Sequence, residues 1–363
     1  MTIRIGIDAW PLSARPTGIG RYVRELCLEL GRQLPDAEFV LYSPRAIDFP
    51  ALPRWRQRID AHARALPGYA WLKWRLPRLC AADDLDVFWA TRTLTPRLPQ
   101  RTASVSTVYD LNYRLVPETM PVVNRWAHRL WFRRDVLRAR AVVAISQGTS
   151  DRLVAHLSRA ADAIVLPAVS DRFHPRPRSE VAACLARHGI DGPYILGVGT
   201  QEPRKNLHAL VDAYAALRGR GAVAQRLVLA GGKGWHNRAL RAALDRHAGL
   251  PIHSVGYVAE DELPLLYAGA DVFVFPSLYE GFGIPLLEAR ACGARIVASD
   301  IPELREAGGE QALYVAPTPR GLATGIEQAL RRDRIAPVAA TLPSWRKSAQ
   351  TLSGVLRNLA RGG

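Results

Sequence analysis

Hydrophobic and polar positions alternate in two patterns along the whole chain. Short apolar runs rich in β-branched and aromatic residues, such as IRIGID, EFVLYS, DVFWAT and AVVAIS, are typical of buried strands. Between these runs, apolar residues recur with helical spacing, as at Ile19, Val23, Leu26 and Leu30. Strands that alternate with helices are typical of βα units on a parallel sheet, so the pattern predicts an α/β fold.

The alternation is interrupted at the segment PAVSDRFHPRPRS (167–179) and then starts again. The second series of strand-like runs is PYILGVGT, RLVLAG, IHSVGYV, DVFVFPS and RIVAS. The restart predicts two doubly wound domains, residues 1–170 and 171–343, followed by a terminal helix over 344–363. Such sheets bind ligands at the carboxyl ends of their strands, so we expect the functional site in a cleft between the two domains.

Composition and charge limit the possible classes of protein. The 363 residues are 48% hydrophobic and 23% charged, which suits two folded cores and excludes wholesale disorder. A net charge of +16 indicates a surface that attracts phosphates, nucleic acid or an acidic membrane face. The four cysteines form no C-x-x-C pair, which indicates neither a zinc site nor a disulfide framework and favours a reducing cytoplasm. Without a charged leader or a run of about 18 apolar residues, we expect any membrane contact to be peripheral.

The first glycine-rich turn, RPTGIGRYV, follows the first predicted strand. Gly18 and Gly20 would let the backbone approach a ligand closely, with the free N–H groups of the next helix facing an anion. The same glycines could instead form a tight connection between strand and helix. A lone G-x-G does not separate the two interpretations.

The second turn, GVGTQEPRKNL, carries Arg204 and Lys205 just before a helix predicted to begin near Asn206. Two cations are unfavourable at a helix N-terminus, because the helix dipole attracts negative charge there. A bound diphosphate would compensate for this, so the pair predicts a phosphate site. A solvated basic loop is the alternative.

The third turn, FPSLYEGFGIPLLEARACG, places Glu280 on a loop and Glu288 in a helix predicted to start near Gly283. Each carboxylate can accept two hydrogen bonds from hydroxyl groups, which suits a polyol. The glycines leave backbone N–H groups at the helix start open to phosphate or sugar oxygens. The alternative for Glu288 is an ordinary solvent-facing position on a helix.

These turns closely resemble motifs of the retaining GT-B glycosyltransferases of family 4. The resemblance covers nearly the whole chain and rests on TGIGRY, EPRKN, the E-x7-E segment EGFGIPLLE, the stretch GYVAEDELPLLYAGADVFVFPS and the late SW. It implies the GT-B fold, in which two Rossmann-like domains face each other across a cleft and a C-terminal helix crosses back to the first domain. It also implies a hexosyltransferase with an N-terminal acceptor-binding domain and a C-terminal nucleotide-sugar-binding domain.

The resemblance assigns roles to individual residues. Glu288 would hold the ribose hydroxyls, Glu280 the transferred sugar, and Arg204 with Lys205 the diphosphate. Three further groups would complete the donor site: the backbone of Phe282, Gly283 and Ile284 against sugar and phosphates, Gly256, Tyr257 and Val258 beside the base, and Gly18 with Gly20 over the phosphates.

The chemistry needs no metal, because cations and helix N-termini can stabilise the charge that develops on a leaving diphosphate. We therefore expect no metal and no cofactor, with the nucleotide sugar as a substrate. A literal D-x-D, the spacing of metal-dependent GT-A transferases, does occur at Asp84 and Asp86. It precedes the strand DVFWAT and so lies at the end of the sheet away from a ligand.

The chain departs from the family at one catalytic position. Relatives commonly carry a His-Asp pair after the strand that reads SVSTVYDL here, so Tyr109 replaces the histidine and Asp110 is retained. A phenol can donate a hydrogen bond to a sugar hydroxyl or phosphate but accepts a proton poorly near neutral pH. In this family, retention is ascribed to front-face attack assisted by the leaving phosphate, so the substitution need not abolish activity. Tyr109 could equally be an ordinary strand aromatic.

Two basic stretches in the first half contain tryptophans: RWRQRIDAHARALPGYAWLKWRLPR (54–78) and RWAHRLWFRRDVLRAR (125–140). Cations interleaved with indoles suit an anionic membrane, and nearly as well nucleic acid or a solvated helical face. The acceptor-binding role of the first domain in the family favours the membrane. We therefore expect a cytoplasmic enzyme, peripheral at the inner face of the cytoplasmic membrane, that extends a lipid-linked glycan in O-antigen or exopolysaccharide synthesis, with no nucleic-acid partner.

The pattern resembles bacterial polysaccharide mannosyltransferases, so GDP-mannose is the favoured donor. Three alternatives remain open. One is a transferase that uses a UDP-sugar. Another is a nucleotide-sugar 2-epimerase of the same architecture, which would release a nucleoside diphosphate without an acceptor. The third is a basic nucleic-acid-binding protein, for which the chain carries no recognition-module motif.

Overall fold

A computed structural model describes residues 2–13, 18–63, 66, 68–333 and 342–362 of the chain. The chain divides into two compact units. Unit 1 consists of Met1–Arg114, Val122–Ala168 and Pro343–Gly363, and unit 2 consists of Leu115–Pro121 and Val169–Leu342. The boundaries predicted after residues 170 and 343 fall after residues 168 and 342. The sequence did not predict that the segment 115–121 belongs to unit 2, where the Trp235 indole N–H donates a hydrogen bond to the Thr119 carbonyl (2.6 Å).

Among the described residues, unit 1 is built on a parallel sheet of seven strands in the order β3-β2-β1-β4-β5-β6-β7. The strands are β1 (Arg4–Asp8), β2 (Glu38–Ser43), β3 (Trp55–Ile59), β4 (Val87–Ala90), β5 (Ala103–Val108), β6 (Ala141–Ala144) and β7 (Ala163–Ile164). Most residues of β1, β4 and β6 are buried, as in parallel sheets whose two faces are both covered. Strand order reverses between β1 and β4, and ligands of doubly wound sheets bind at the carboxyl ends of such a pair.

Helices connect these strands. They are α1 (Gly18–Gln33), α2 (Gly68–Ala70), α3 (Leu76–Ala82), α4 (Asn112–Leu115), α5 (Val122–Arg138) and α6 (Gln147–Leu157), with a π-helical turn, Trp71–Arg75, between α2 and α3. The apolar stripe of α1 is confirmed at Val23, Leu26 and Leu30, which are fully buried. Ile19, which the spacing placed in the same stripe, is exposed because it lies in the first turn of the helix.

Unit 2 repeats the architecture with six parallel strands in its described part, in the order β10-β9-β8-β11-β12-β13. The strands are β8 (Tyr194–Val198), β9 (Arg226–Ala230), β10 (Ile252–Gly256), β11 (Val272–Phe275), β12 (Ile296–Ser299) and β13 (Ala312–Val315). The helices are α7 (Arg178–Arg187), α8 (Leu207–Gly219), α9 (Arg238–Arg246), α10 (Leu263–Gly269), α11 (Ile284–Ala291), α12 (Pro302–Gly308) and α13 (Pro319–Leu330). Strand order reverses between β8 and β11, which places a second crevice at their carboxyl ends.

The chain ends in helix α14 (Trp345–Arg361), which belongs to unit 1 and packs against α1. Trp345, Leu352 and Leu356 are its largest buried side chains. The Ser348 hydroxyl donates a hydrogen bond to the carbonyl of Leu166 (2.7 Å), beside the end of β7. A helix at this position therefore completes the fold of the first unit, after the chain has built the second.

The first basic stretch, residues 54–78, is not one continuous helical face as one interpretation had it. Its beginning is the edge strand β3, in which the Trp55 ring stacks on Phe39 with 4.0 Å between ring centroids. Arg56 and Arg58 both pair with the buried carboxylate of Asp83. Both arginines are therefore paired with an acid of the protein, which reduces the free positive charge of this stretch.

The D-x-D pair lies at the amino end of β4, where the sequence placed it. Asp86 accepts a hydrogen bond from the backbone N–H of Arg4 (2.7 Å). Asp84 pairs with Arg101 at 2.5 Å on the surface. Both carboxylates therefore have partners within the protein, at the amino ends of the strands and opposite to the β1/β4 crevice.

The cysteines Cys27, Cys80, Cys184 and Cys292 are buried free thiols. None of the helices in the described residues combines the length and apolar content that a membrane-crossing helix needs.

Candidate active site

The loops after β8 and β9 touch each other through two glycines. Gly231 has a positive φ of 146°, and a Cβ atom there would lie 2.0 Å from the Gly199 carbonyl oxygen. Only glycine fits such an approach between two backbones. Gln201 and Lys233 then extend the pairing of the two strands by an isolated bridge. The segment that carries the predicted cations is thereby held in place at the carboxyl end of β8.

Arg204 and Lys205 lie on a 3-10 turn, Pro203–Lys205, and not at the first residues of an α-helix. Helix α8 begins one residue later than predicted, after Asn206, which has a left-handed backbone (φ 54°). The Asn206 side-chain amide donates hydrogen bonds to the carbonyls of Pro276 (3.0 Å) and Pro317 (2.9 Å). Asn206 therefore links this turn to the end of the neighbouring strand β11.

The two cations are engaged by two glutamates. Arg204 Nη1 donates to Glu280 Oε2 at 2.5 Å, and Lys205 Nζ donates to Glu280 Oε1 at 2.6 Å. The other guanidinium nitrogen, Arg204 Nη2, donates to Glu202 Oε1 at 2.6 Å. All four side chains are largely buried. The structure therefore gives the positive charge a partner within the protein, where the sequence pattern indicated a bound diphosphate or, as the alternative, a solvated basic loop.

The ionisation of Glu280 follows from these contacts. Burial alone would raise the pKa of Glu280, but attraction to Arg204 and Lys205 outweighs it and lowers the pKa to about 2. Burial is also the largest influence on the pKa of Lys205 and lowers it, whereas Glu280 acts in the opposite direction. Glu280 is therefore a fixed anion at neutral pH, suited to accept hydrogen bonds and unsuited to donate a proton.

Glu288 is buried inside unit 2, so the solvent-facing alternative is wrong. It lies in the second turn of α11 and accepts a hydrogen bond from the hydroxyl of the fully buried Tyr267 (3.0 Å). The helix starts after Gly283, whose φ is 111° and where a Cβ atom would lie 2.6 Å from Leu304. The glycine allows the chain to enter α11 at this angle, which buries Glu288 and places Glu280 on the preceding loop.

The remaining residues predicted for the donor site also belong to their expected elements. Gly256 ends β10 with a φ of 74°, and its carbonyl accepts a hydrogen bond from the Gly231 N–H (2.7 Å). Tyr257 is exposed, whereas Val258 and Phe282 are buried and Ile284 is half-buried. Gly18 and Gly20 lie in the first turn of α1 in unit 1, and the preceding residues 14–17 of the glycine-rich turn lie outside the described part of the chain.

Tyr109 is buried in unit 1 beside the ring of Tyr22, in an edge-on contact with 5.6 Å between centroids. Burial raises the pKa of Tyr109 well above its usual range, so the phenol stays protonated. Its hydroxyl finds no hydrogen-bond partner among the described residues. Asp110 bonds both to the backbone N–H of Asn112 (3.0 Å) and to its side-chain amide (2.9 Å), at the start of α4. The structure thus places Tyr109 in the core, and Asp110 in a helix-capping position.

Sequence reasoning missed a polar cluster in unit 1, at the carboxyl ends of β1 and β4. The fully buried carboxylate of Asp8 accepts a hydrogen bond from Arg92 Nε (2.7 Å) and one from the backbone N–H of Trp10 (3.2 Å). The Arg92 guanidinium lies 4.7 Å from the centroid of the Trp10 ring. Its Nη2 atom is buried and has no hydrogen-bond partner in the described part of the chain. The sequence contained a signal for this cluster. Asp8 is the last residue of the strand-like run IRIGID and Arg92 directly follows the run DVFWAT, and ligands of parallel sheets bind at such strand ends.

One group of possible metal ligands comes together in the described residues: Cys184, His188 and Glu262. The Glu262 carboxylate already contacts His188 Nε2 (2.9 Å) and Arg187 Nη2 (2.8 Å). Glu262 is thus held by two side chains of the protein. The cluster lies on α7 and before α10, on elements that carry neither Arg204 nor Glu280.

Comparison with known proteins identifies the family. The family model of glycosyl transferases group 1 matches residues 192–332. The chain is 30% identical to O-antigen chain mannosyltransferase B of Escherichia coli, over 93% of this chain and 91% of that protein. This protein belongs to the group 1 glycosyltransferases. The residues matched by the family model include Arg204, Lys205, Glu280 and Glu288, so the buried charge cluster lies in the part that is typical of the family.

Further comparisons give a second relative of this glycosyltransferase and a solved structure with a similar fold. It is 29% identical to a GDP-mannose-dependent α-(1-6)-phosphatidylinositol monomannoside mannosyltransferase of Mycobacterium tuberculosis, over 62% of this chain and 61% of that protein. Its structure resembles sucrose-phosphate synthase of Thermosynechococcus elongatus with a TM-score of 0.69 and 20% identity, over 99% of this chain and 94% of the other. The predicted α/β fold with two Rossmann-like sheets of the GT-B type is confirmed.

Proposed function

We propose that this glycosyltransferase transfers mannose from GDP-mannose to a lipid-linked glycan with retention of configuration, in bacterial O-antigen or exopolysaccharide synthesis. The observation that carries the proposal is the buried anion Glu280, held between Arg204 and Lys205 in the region matched by the family model. The choice of mannose is supported by the names of the relatives, because both the Escherichia coli and the Mycobacterium tuberculosis proteins are mannosyltransferases.

In the proposed donor complex, Arg204 and Lys205 bind the diphosphate while Glu280 accepts hydrogen bonds from hydroxyls of the transferred sugar. Glu280 can serve the sugar because it is ionised and already oriented by the two cations. Glu288, oriented by the Tyr267 hydroxyl, accepts hydrogen bonds from the ribose. The cations thus bind the leaving group, and the two carboxylates bind the sugar rings on either side of it.

The reaction breaks the bond between the anomeric carbon and the β-phosphate oxygen. The acceptor hydroxyl oxygen forms its new bond to the anomeric carbon on the same face, and its proton passes to the departing phosphate. Negative charge grows on the diphosphate during this step, and Arg204 with Lys205 stabilises it where other transferases use a metal. The protonated Tyr109 and the ionised Glu280 are both unsuited to act as the general base, which leaves proton transfer to the phosphate.

Thermal stabilisation tests the donor. We expect GDP and GDP-mannose to raise the melting temperature of the purified protein more than UDP, ADP or their sugars do. Incubation with GDP-mannose and a lipid-linked glycan should then give an α-mannoside, the configuration of the donor, in the NMR spectrum of the product. A rise in melting temperature with UDP alone would show that the donor is a UDP-sugar. A β-mannoside product would refute retention, and GDP release without any acceptor would favour the epimerase.

The polar cluster Asp8, Trp10 and Arg92 is the part of unit 1 best suited to bind the acceptor. It lies where strand order reverses between β1 and β4, which is the usual ligand position in such sheets. Carbohydrates are bound by carboxylates, guanidinium groups and indole faces, and the cluster contains one of each. The buried Arg92 Nη2 has a hydrogen bond still to donate within the described structure, and a sugar hydroxyl can accept it.

We expect Arg92→Gln to raise KM for the glycan acceptor about tenfold, with little change in KM for GDP-mannose. The reason is that a charge-assisted hydrogen bond contributes roughly 1.5–3 kcal/mol. Steady-state kinetics with each substrate varied in turn would measure the effect. Arg159→Gln is the matched control, because Arg159 also pairs with an aspartate, Asp162, in unit 1 but lies away from the crevice. Equal effects of the two substitutions on acceptor KM would contradict the assignment.

Helix α5 presents the surface that we propose for contact with the membrane. Val123, Trp126 and Leu130 are 70%, 60% and 67% exposed, and their spacing places them on one face of the helix. The exposed Arg129 and Arg133 flank them, which suits anionic headgroups beside an inserted apolar stripe. The acceptor crevice and this surface belong to the same unit, as a lipid-linked acceptor requires.

Replacing Trp126 and Leu130 together with serine should reduce retention of the protein on phosphatidylglycerol vesicles at least about fivefold, because two exposed apolar side chains that would insert into the bilayer are lost. Sedimentation with vesicles would measure it. Val154→Ser, at an exposed valine on α6 of the same unit, should leave retention unchanged. If the double variant sediments with the vesicles as the native protein does, α5 is not the membrane surface.

A further inference from the structure

An arginine-lined cavity of about 470 Å³ lies in unit 1 at the amino ends of β5 and β6. Arg97 and Arg101 come from the segment before β5, Arg134 and Arg138 from the last turns of α5, and Arg140 from the residue before β6. The cavity therefore lies at the amino ends of the strands, whereas the β1/β4 crevice lies at their carboxyl ends. No role in the donor or acceptor site accounts for it.

The positive charge of this cavity is not balanced by its walls. Among the described residues that line it, Asp135 is the one acid, and its carboxylate is taken up by Lys73 and by the backbone N–H of Thr95 (3.2 Å). Arg101 pairs with Asp84, which lies outside the lining. The remaining guanidinium groups are held weakly or not at all.

Of these, Arg134 reaches the Asp135 carboxylate only at 3.4 Å. The guanidinium groups of Arg97, Arg138 and Arg140 have no ion pair or hydrogen bond within the described residues, although the Arg140 backbone N–H donates to the Ser104 hydroxyl at 3.4 Å. Like charges gathered at one opening repel each other and are stabilised by an anion that they share. Burial lowers the pKa of the neighbouring Lys73, Asp135 raises it, and Arg134 and Arg138 add a smaller lowering by repulsion.

We propose that this cavity binds a multiply charged phosphate group, such as a diphosphate or the headgroup of an anionic lipid. Guanidinium groups bind phosphate oxygens through paired N–H donors, and several of them around one cavity favour a polyvalent over a monovalent anion. The volume lies within the range of roughly 300–1,000 Å³ that is typical of small-molecule sites.

The cavity is separate from the unit 1 residues of the proposed donor site. Gly18 and Gly20 start α1, which follows the carboxyl end of β1, whereas the arginines lie at the amino ends of β5 and β6. A nucleotide whose phosphates lie against Gly18 and Gly20 therefore does not occupy the arginine cavity. The two sources of phosphate differ in one requirement, because a lipid headgroup needs contact with a bilayer and a soluble anion does not. Helix α5 could provide that contact, since it carries both Arg134 and Arg138 and the exposed apolar face.

The experiment measures binding of inorganic diphosphate to the full chain by calorimetry at about 50 mM salt, with GDP added only to the concentration that saturates the donor site. We expect Arg97→Gln with Arg138→Gln to weaken this binding at least about tenfold, because two charged donors are lost. Arg238→Gln with Arg241→Gln is the matched control: it removes the same charge from two exposed arginines of α9 in unit 2. It should leave diphosphate binding unchanged.

Vesicles of phosphatidylcholine with or without phosphatidic acid, whose phosphomonoester carries up to two charges, distinguish the two sources when tested with the same variants. Loss of retention on the phosphatidic acid vesicles in the cavity variant, but not in the control, supports a lipid headgroup. Unchanged retention together with weakened diphosphate binding supports a soluble anion. Equal diphosphate affinities of the cavity variant, the control variant and the native protein would overturn the proposal.

Discussion

Replacing Glu280 with glutamine is expected to lower kcat about 10²–10³-fold, the size of effect found when one preorganised electrostatic group is removed from an active site. The amide keeps the shape of the side chain but removes the charge that orients Arg204 and Lys205. It also leaves Lys205, a buried cation, without its anionic partner. Steady-state kinetics with GDP-mannose and the glycan acceptor would measure the loss.

Glu327→Gln separates this effect from the loss of any ion pair in unit 2. Glu327 pairs with Arg220 at 2.8 Å on the surface, where such pairs contribute little. We expect the control to keep both kcat and melting temperature, and the Glu280 variant to lose some thermal stability because a buried pair is broken. The kinetics should therefore be measured well below the melting temperature. A Glu280→Gln enzyme with more than a third of the native kcat would remove Glu280 from the mechanism.

Replacing Glu288 with alanine is expected to have the second large effect, which is a loss of affinity for the donor. We expect the dissociation constant for GDP to rise about 100-fold, since a carboxylate that accepts two ribose hydrogen bonds is lost. The loss should appear as disappearance of the thermal shift by GDP and as weaker binding in calorimetry. GDP without the sugar is the useful probe here, because the assigned contact is to the ribose and not to mannose.

Tyr267→Phe tests how Glu288 is positioned. It removes the hydroxyl that donates to Glu288 at 3.0 Å and keeps the buried ring, which lies edge-on to Phe273. We expect a three- to tenfold weaker affinity for GDP, with kcat at saturating GDP-mannose unchanged, since Tyr267 acts through Glu288 alone. If Glu288→Ala binds GDP as tightly as the native protein does, Glu288 faces no ribose and the donor assignment fails.

The charge cluster shows how far local reasoning reaches. The sequence predicted that Arg204, Lys205 and Glu280 serve one site, because each follows a strand of the same parallel sheet. It did not predict that they contact each other, or that Glu202 takes part. Those contacts depend on the order of strands, since β8 and β11 are neighbours in space but far apart in the chain.

The first basic stretch shows the opposite case. Its composition alone permitted a membrane surface, a nucleic-acid surface or a solvated helix. The structure divides it: Arg56 and Arg58 lie on an edge strand and pair with Asp83, whereas Trp74 on the following π-helical turn is exposed. Charge counts cannot anticipate this, because the partner carboxylate lies about 25 residues further along the chain.

The sequence by itself determined the α/β class, the two doubly wound sheets, the turns that follow the strands and the family resemblance, because hydrophobic periodicity and short glycine-rich motifs are local properties of the chain. Only the tertiary structure decided which charges are paired and which are free. It buried Tyr109 and Glu288 and brought Asp8 together with Arg92 at the β1/β4 crevice. It also placed five arginines together at the amino ends of strands in the unit 1 sheet. These features depend on which strands and helices become neighbours. That choice is made by the packing of the whole core, and not by any single segment.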